Sequence, residues 1–289
     1  MTRLRLGSFN LLSGRSLTDG LIDAGRLVEA TRQLDVDLLA VQEVDRHQPR
    51  SREVDQAALM AKTLEAVDHR FVAALDGTPG IPGWTPTVDA PIAEAPTVDA
   101  PTVDAPIATE TAFAQFGVAL ISRLPVAEWH VLRLRPARGR FPLPIPSRPP
   151  QLLWLNDEPR VVVAAVLEHP RITIACTHLS FVPFSTVRQL RTVHRWLAGL
   201  PGPQVLLGDL NLPGPLPRRI TRWTPLVSSP TFPAPAPRIQ LDHALAAGLP
   251  AGFRATGRVR QLPISDHRAV LVDLDLPELR PRAQDPAAR

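Results

Sequence analysis

The stretch Val205-Leu206-Leu207-Gly208-Asp209-Leu210-Asn211 decides the fold prediction. Its three apolar residues predict a short buried strand, and Gly208 predicts the end of that strand. If the chain stays extended beyond the glycine, Asp209 and Asn211 project from the same face. A carboxylate can bind a divalent cation or accept a proton from water, and an amide both donates and accepts hydrogen bonds. The pair therefore suits the binding and attack of a phosphate, although Gly-Asp-x-Asn is also ordinary turn chemistry.

Further short polar runs adjoin apolar strands at well-separated points of the chain. They are Asn10 after Leu4–Phe9, Gln42-Glu43 after Val36–Val41, Thr177-His178 after Ile172–Cys176, Asp242-His243 after Ile239–Leu241, and Ser265-Asp266-His267 before Ala269–Leu276. Together with Asp209 and Asn211, and in this order, these runs resemble the endonuclease/exonuclease/phosphatase superfamily, which contains DNase I and the neutral sphingomyelinases. The resemblance spans Leu4 to Leu276 and rests on six ordered motifs.

The strand pattern and the resemblance lead to one fold class. Many strands with a few helices between them predict an α+β protein with two packed sheets. The resemblance implies two mostly antiparallel β-sheets flanked by helices, the DNase I-like four-layer αββα sandwich, with the site at one end. We expect a single domain over residues 1–277. After Pro277 the charged, proline- and alanine-rich residues 278–289 predict a flexible tail.

A low-complexity tract interrupts this domain. Thr-Val-Asp-Ala-Pro occurs at 87–91, 97–101 and 102–106, with the degenerate copy Ile-Ala-Glu-Ala-Pro at 92–96. A proline at every fifth residue excludes a helix or a central strand, and the tract offers little apolar surface to bury. We therefore predict a disordered or extended insertion in a surface loop at about 79–111.

Deletion of residues 87–106 is expected to leave the melting temperature and the turnover number unchanged. The reason is that the entropy of closing a surface loop changes slowly with loop length. Thermal unfolding and steady-state kinetics of the shortened chain measure both quantities. A clear fall in either one would show that the tract belongs to the fold or to the site.

Composition narrows the protein class. A hydrophobic content of 44% is enough for a substantial core. The N-terminal residues Met1–Ser13 lack the apolar run of a signal peptide, and no stretch of about 18 apolar residues predicts a membrane span. One cysteine, Cys176, cannot form an internal disulfide, and its apolar strand predicts a buried core residue. These features predict a cytoplasmic location.

The basic balance supports an anionic substrate only weakly. The net charge is +4, and the tract at 87–108 contributes acids but no base. The arginine-, alanine- and proline-rich composition suggests a GC-rich genome as much as an anionic ligand. The segment Pro136–Pro150 predicts an irregular loop with Arg138, Arg140 and Arg148. These arginines suit phosphate contacts or a solvated loop equally well.

The resemblance assigns a metal site to Asn10, Glu43 and Asp266. The glutamate of a Gln-Glu pair binds Mg²⁺ (or Mn²⁺) in the family, with support expected from Asn10 and Asp266. Oxygen ligands suit such a hard cation. Taken singly, Glu43 also fits a solvated acid at a loop, and Asn10 fits a turn. Leu12 stands where the repair nucleases of the family carry an acid.

The resemblance assigns catalytic roles to the remaining residues. Asp209 would orient or deprotonate the attacking water, Asn211 would hold a phosphate oxygen, and His178 would donate to the phosphate. His267 would act as general base or as a donor in the transition state. Asp242 would accept the other ring N–H of His267 and fix its tautomer. Taken alone, His178 fits a structural histidine, and the Ser-Asp-His run fits a turn.

The favoured function is a Mg²⁺-dependent hydrolase of phosphoester bonds, a nuclease-like phosphodiesterase that works by in-line attack of water. His178 and Leu12 argue against specificity for abasic DNA. A phospholipid, sphingomyelin or inositol-phosphate phosphoesterase is the alternative, with transient membrane contact through Phe181–Phe184 if they are exposed. A catalytically inactive binding protein on the same fold is a second alternative. Nucleic acid is among the expected substrates, and we expect a monomer without an obligate protein partner.

Overall fold

A computed structural model describes residues 1–80, 83–87, 113–145 and 151–277. The predicted tail at 278–289 and residues 88–111 of the predicted insertion lie outside these ranges, so both remain predictions.

The described residues form fifteen strands and four α-helices. The strands are β1 (Thr2–Asn10), β2 (Leu38–Arg46), β3 (Asp68–Asp76), β4 (Thr85–Pro86), β5 (Gln115–Ser122), β6 (Val126–Leu134), β7 (Arg140–Ile145), β8 (Gln151–Asn156), β9 (Arg160–Leu167), β10 (Thr173–His178), β11 (Gln204–Asp209), β12 (Thr224–Pro225), β13 (Asp242–Ala247), β14 (Arg254–Arg260) and β15 (Ala269–Leu276). The helices are α1 (Ala24–Leu34), α2 (Gln56–Thr63), α3 (Pro183–Leu197) and α4 (Leu216–Thr221).

Two sheets carry the fold. One has the order β14-β15-β1-β2-β5-β3-β4, and the other has the order β12-β13-β11-β10-β9-β6. Strand pairs β1–β2 and β10–β11 are parallel, while the other described pairs are antiparallel. The expected pair of mostly antiparallel sheets is confirmed.

Alternation along the strands builds the layers. On β2, Leu38 and Ala40 pack into the core between the sheets, whereas Leu39 and Val41 pack beneath α1 and α2. Helix α3 covers the outer face of the second sheet with a stripe that includes Leu190. A strand that is apolar on both faces must be covered on both faces, so helices lie outside each sheet. This is the DNase I-like αββα sandwich that the sequence predicted.

The stretch that decides the fold is the buried strand β11. Val205 and Leu207 face the core between the sheets, and Leu206 faces α3. The prediction that Gly208 ends the strand is wrong, because β11 continues to Asp209. Gly208 has φ +149°, and a Cβ at this position would lie 1.9 Å from the carbonyl oxygen of Thr177. The glycine permits close approach of β10 and does not break the strand.

The start of the predicted insertion is part of the first sheet. Thr85 and Pro86 pair with Asp76 and Leu75 at the sheet edge. The next residue, Thr87, donates its N–H to the carbonyl of Ala74 at 3.2 Å. Residues 83–87 are therefore ordered, and the deletion that tests dispensability should begin at residue 88.

The segment Pro136–Pro150 is irregular at residues 136–139, as predicted, but forms a strand from Arg140 to Ile145. Strands β7 and β8 form a separate two-stranded antiparallel ribbon, in which Pro142 pairs with Trp154 and Pro144 with Leu152. Prolines two residues apart lack their N–H groups on the same edge of a strand. Within the residues that the structure describes, that edge of the ribbon has no partner strand, so both prolines are tolerated.

Within the described part of the chain, no helix combines the length and the apolar character that crossing a membrane requires.

Candidate active site

All eight residues predicted for the site meet at one end of the sandwich. Six of them line a cleft of about 640 Å³: Glu43, His178, Asp209, Asn211, Asp266 and His267. Asn10 and Asp242 are buried, with 1% and 0% exposure, and contact these residues from behind. The ends of strands from both sheets therefore bring together polar side chains that are more than 250 residues apart in sequence.

A bulge in β2 directs Glu43 into the cleft. The pairing of β2 with β5 shifts register between Val41 and Val44, and Glu43 has φ +55°. Bulges redirect a side chain at the cost of local ladder pairing, and a non-glycine residue at positive φ is held there by its surroundings. Gln42 turns the other way, into the core, where its amide nitrogen lies 3.3 Å from Ser8 Oγ.

Asn10 links two of the carboxylates. Its Nδ2 donates to Glu43 Oε1 at 3.0 Å and to Asp209 Oδ2 at 3.1 Å, and its Oδ1 accepts from the backbone N–H of Leu12. In this arrangement Asn10 fixes the positions of the two acids through its nitrogen. The direct metal contact expected from its oxygen stays a prediction.

Asp209 and Asn211 are held by a tight turn. Asp209 Oδ1 accepts the backbone N–H of Asn211 at 2.9 Å, and Asn211 has φ +49°. The assumption that the chain stays extended here is therefore wrong, because the aspartate side chain stabilises a turn. Both side chains still reach the cleft. Asn211 Nδ2 donates to the carbonyl of Leu179 at 2.9 Å, which orients its amide beside His178.

His267 and Asp242 form a hydrogen-bonded pair. His267 Nδ1 lies 2.8 Å from Asp242 Oδ2, and its Nε2 faces Asp209 Oδ2 at 3.8 Å. Burial lowers the pKa of His267, but Asp242 and Asp209 outweigh this effect and raise it to about 10. The ring therefore carries both protons at neutral pH, with one N–H fixed on Asp242 and the other directed toward Asp209 and the cleft.

His178 lies opposite and is neutral. Burial lowers its pKa well below the ordinary value, and the positive charges of Arg160 and His267 lower it further. Arg160 Nη1 lies 3.2 Å from His178 Nδ1. A guanidinium only donates, and a neutral imidazole accepts at only one of its two nitrogens. The competing donor is Asn211 Nδ2, which lies 3.2 Å from His178 Nε2. That nitrogen lies 3.6 Å from Asp209 Oδ2.

The carboxylates of the cleft fit a divalent cation. Burial raises the pKa of Glu43 to about 7 against the hydrogen bond from Asn10, and Asp266 and Asp209 raise it further. Burial also raises the pKa of Asp266, and it raises that of Asp209 to about 6. Negative charge on any one of these three carboxyl groups disfavours ionisation of the others. A bound cation would relieve that repulsion and accept their oxygens as ligands. Such a set suits Mg²⁺ or Mn²⁺.

Asp209, Asp242 and His267 also lie close enough to surround an ion, with one ligand atom from each within 4.8 Å of the others. However, the bond of 2.8 Å between Asp242 and His267 is a hydrogen bond, and a metal on that nitrogen would have to displace its proton. This hydrogen bond makes the trio better suited to proton transfer, whereas the carboxylates on the Glu43 side of the cleft could hold a cation.

Without metal, Glu43→Gln is expected to remove part of the pH dependence of stability. Between its ordinary pKa of 4.5 and about 7, folded Glu43 holds a proton that the unfolded chain has released. Stability therefore falls as pH rises through this window. In EDTA, the melting temperature of the wild type should fall more steeply over this window than that of the variant. Asp209, Asp266 and His267 face Glu43 in both proteins, so their contributions largely cancel in the comparison.

Added Mg²⁺ should raise the melting temperature of the wild type most above this window, because a proton then no longer competes for the carboxylate. If the melting temperatures of the two proteins in EDTA change with pH in parallel, the raised pKa assigned to Glu43 is wrong.

Sequence reasoning missed two residues of the site. Phe232 packs its ring on His267, with the ring centroids 4.9 Å apart. Arg160 lines the cleft at the first position of β9. The antiparallel pairing of β9 with β10 could have identified Arg160 as a site residue. Val162 lies opposite Thr177, and this register places Arg160 beside the end of β10. Of the three arginines considered from the sequence, Arg138 is exposed, Arg140 donates to the carbonyl of Trp154, and Arg148 lies outside the described residues.

Solved structures share this fold. An endonuclease/exonuclease/phosphatase from Beutenbergia cavernae DSM 12333 aligns with a TM-score of 0.60 and 20% identity, over 96% of this chain and 72% of that chain. A mannosyl-6-phosphatase from Bacteroides thetaiotaomicron VPI-5482 aligns with a TM-score of 0.59 and 14% identity, over 94% and 100%. Sphingomyelinase C from Streptomyces griseocarneus aligns with a TM-score of 0.54 and 14% identity, over 94% and 99%.

These identities establish a common fold and leave the substrate open. A comparison with curated protein sequences finds no match. The sequence model described as Endonuclease/Exonuclease/phosphatase family matches residues 7–267, which is nearly the whole chain. The chain therefore belongs to the endonuclease/exonuclease/phosphatase family and has its phosphoesterase fold.

Proposed function

We propose that this protein is a divalent-metal-dependent, nuclease-like phosphodiesterase that hydrolyses its substrate by in-line attack of water. The observation that carries the proposal is the position of Asp209. Its Oδ2 lies 3.6 Å from His178 Nε2 and 3.8 Å from His267 Nε2, and it shares the Asn10 amide with Glu43. A cation pocket and two imidazole rings thus meet at one carboxylate, an arrangement that suits attack on a phosphate.

Glu43 and Asp266 would hold the Mg²⁺ or Mn²⁺ ion, with Asn10 behind them. The ion would neutralise the negative charge of the phosphate oxygens. Among the described residues that line the cleft, Ser13 has the only hydroxyl side chain, and none has a thiol. The proposal takes water as the nucleophile.

Each polar side chain has one step to perform. Asp209, with its pKa raised to about 6, is ionised at neutral pH and suited to orient water and accept its proton. His267 carries a proton on Nε2 and can donate it toward a phosphate oxygen. This favours the donor role for His267 over the general-base role that the sequence left open. His178 and Asn211 lie beside each other on the opposite wall, where they would hold the phosphate oxygens.

A phospholipid or related ester is the second candidate, and exposed apolar side chains favour it. Phe184 on the first turn of α3 is 91% exposed, while Phe181 beside it lines the cleft. On β8, Leu152 and Trp154 are 63% and 53% exposed, and Leu155 lines the cleft. Apolar residues around a cleft mouth suit contact with a lipid surface.

A substrate panel tests the proposal. It contains single- and double-stranded DNA, abasic duplex DNA, RNA, sphingomyelin vesicles, inositol phosphates and bis(p-nitrophenyl) phosphate, each with Mg²⁺, Mn²⁺ or EDTA. We expect metal-dependent cleavage of nucleic acid and of the generic diester, and none in EDTA. Full activity in chelator would overturn the metal assignment.

The other outcomes identify the alternatives. Turnover confined to vesicles, and lost on Phe184→Ser, would establish the lipid candidate. Cleavage confined to abasic duplexes would contradict the reading of His178 and Leu12. Metal binding with no turnover on any ester would indicate a binding protein on this fold.

A further inference from the structure

Helix α3 carries a stripe of exposed side chains on the side that faces away from the sheets. Its members are spaced by four, three and four residues, which places them on one face of the helix: Phe184, Arg188, Arg191 and Arg195. All of them are exposed, whereas the opposite face, which includes Leu190, is buried on the second sheet. We call these residues the α3 stripe.

The surface beside the stripe is also basic. Helix α4 packs next to α3, and the ring of His194 lies edge-on to Trp223 with the centroids 5.7 Å apart. Further exposed arginines lie on α4 or directly after it, at Arg218, Arg219 and Arg222. The one acid between residues 183 and 223 is Asp209, which is buried. This flank of the protein therefore has positive charge without acidic compensation from its own elements.

Surface arginines on other elements have acidic partners. Examples are the pairs Arg3–Asp275, Arg26–Asp19 and Arg258–Asp273. Within the described part of the chain, the arginines of α3 and α4 make no ion pair. An arginine-rich composition alone does not explain a flank from which exposed acids are absent. Unpaired cations concentrated on one surface attract a polyanion.

The stripe begins near the mouth of the cleft and runs away from it. Strand β10 ends at the cleft with His178, and Phe181, three residues later, lines the cleft. Because β10 and β11 are parallel, the helix between them runs back along the outer face of the sheet. From Phe184 to Arg195 the stripe is about 16 Å long. A chain-like anion with one phosphate in the cleft would therefore reach the stripe next.

We propose that the α3 stripe binds the nucleotides that flank the reacting phosphate of a single-stranded nucleic acid. The proposal rests on the proposed nuclease-like function and deepens it by naming the form of the substrate. Arg188, Arg191 and Arg195 would contact backbone phosphates, whose oxygens match the planar fork of a guanidinium. Phe184, which is 91% exposed, would stack with a base close to the cleft.

The path of the stripe favours a single strand over a duplex. A nucleic acid that leaves the cleft must bend near Phe184 before it can follow α3 along the flank. Duplex DNA is stiff over about 150 base pairs, so a sharp bend costs free energy. A single strand makes the same bend at little cost.

The composition of the stripe favours nucleic acid over a lipid surface. A helix that binds in a membrane interface inserts its apolar face among the lipids. The apolar face of α3 is buried on the second sheet, so the helix presents one aromatic ring and three charges instead. Such a combination is typical of surfaces that bind single strands through phosphates and stacked bases.

Strand binding in the absence of turnover tests the proposal. Fluorescence anisotropy of a labelled single-stranded DNA of about 20 nucleotides, longer than common site sizes, is measured with the full chain in EDTA. It compares wild type with the α3 variant, in which Arg188, Arg191 and Arg195 are replaced by glutamine. We expect the α3 variant to bind about 10-fold more weakly or worse. The slope of log affinity against log salt should become shallower by about 2, since each phosphate contact contributes about 0.7 for a single strand.

A second variant controls for net charge. Replacing Arg3, Arg26 and Arg258 by glutamine removes the same charge from other surfaces, and strand affinity should stay within about twofold of wild type. With Mg²⁺ present, the α3 variant should have a higher KM for the strand and an unchanged turnover number on bis(p-nitrophenyl) phosphate, which is too small to reach the stripe.

Phe184→Leu tests the stacking role separately. It should weaken strand binding by about 10-fold, because leucine does not stack with a base. It keeps an apolar side chain, so binding to a lipid surface would be largely retained.

Several results would overturn the inference. These are equal strand affinity of wild type and the α3 variant, an equal loss in the charge control, and duplex binding as tight as single-strand binding. Phosphatidylserine vesicles that bind wild type but not the α3 variant, without any strand binding, would assign the stripe to a membrane surface instead. Cleavage of nucleic acid with an unchanged KM in the α3 variant would retain the proposed function and refute the stripe. Strand binding through the stripe without hydrolysis of any ester would refute the proposed function and leave this surface in place.

Discussion

Replacing Asp209 by asparagine is expected to lower the turnover number by about 10³-fold or more, with little loss of the fold. The carboxylate is nearly inaccessible and has four neighbours at once: the side-chain amide of Asn10, the backbone N–H of Asn211, and the rings of His178 and His267. Asparagine keeps the size and one acceptor. It removes the negative charge and the proton acceptor for water.

Steady-state kinetics on the generic diester, at saturating Mg²⁺, measures the effect. Asp157→Asn is the matched control, because Asp157 is an equally buried acid that accepts from Ser180 Oγ and from the backbone N–H of Ala137, outside the cleft wall. That change should lower the melting temperature and alter turnover only a few-fold. Asp209→Asn with more than a tenth of wild-type turnover would remove Asp209 from the chemistry.

Much of the fold was predictable because the apolar alternation is strong. The apolar runs Leu4–Phe9 and Ala269–Leu276 lie in β1 and β15, as the sequence predicted. Buried strands such as β11 are apolar on both faces. This pattern predicts that both faces of the sheet are covered, but it does not identify the helix that covers the outer face. The order of the polar runs then identified the family and all eight residues that converge.

The remaining features depend on contacts that no local pattern encodes. Gly208 is needed because Thr177, from another strand, approaches its backbone. Asn211 turns because Asp209 captures its N–H, and the ribbon β7–β8 forms despite two prolines because one edge is free. Arg160 is a single charge before an apolar run, and only the pairing of β9 with β10 reveals its neighbour.

The exposed arginines drew attention in the sequence for the opposite reason. Arg138 and Arg140 form a basic cluster in the sequence. A solvated charge has little desolvation cost, so an exposed arginine is weak evidence for a ligand. The arginines of the α3 stripe are stronger evidence, because they share one face and no acid among the described residues pairs with them. Ion pairing is a property of the folded chain, so the sequence could not rank these residues.

Asp242 and His267 are expected to act as one unit, and their losses should not add. Asp242 accepts from His267 Nδ1 at 2.8 Å, and it is the largest positive influence on the raised pKa of that ring. His267→Ala should lower the turnover number by about 10²- to 10⁴-fold, the range for a general acid or base. Asp242→Asn should lower it somewhat less, since the ring remains but its tautomer and its charge are no longer enforced.

The double variant decides between joint and separate action. If Asp242 works through the ring, the turnover of the double variant should match that of His267→Ala alone, because the aspartate has nothing left to orient.

Asp242→Asn alone should also move the alkaline limb of the pH–rate profile to lower pH, because the raised pKa of His267 depends on that carboxylate. His267→Ala should abolish that limb altogether. Losses that multiply, together with an unshifted limb in Asp242→Asn, would mean that Asp242 acts apart from the histidine. The buried Oδ1 of Asp242 has no hydrogen-bond partner among the described residues, and it would then be the atom to examine next.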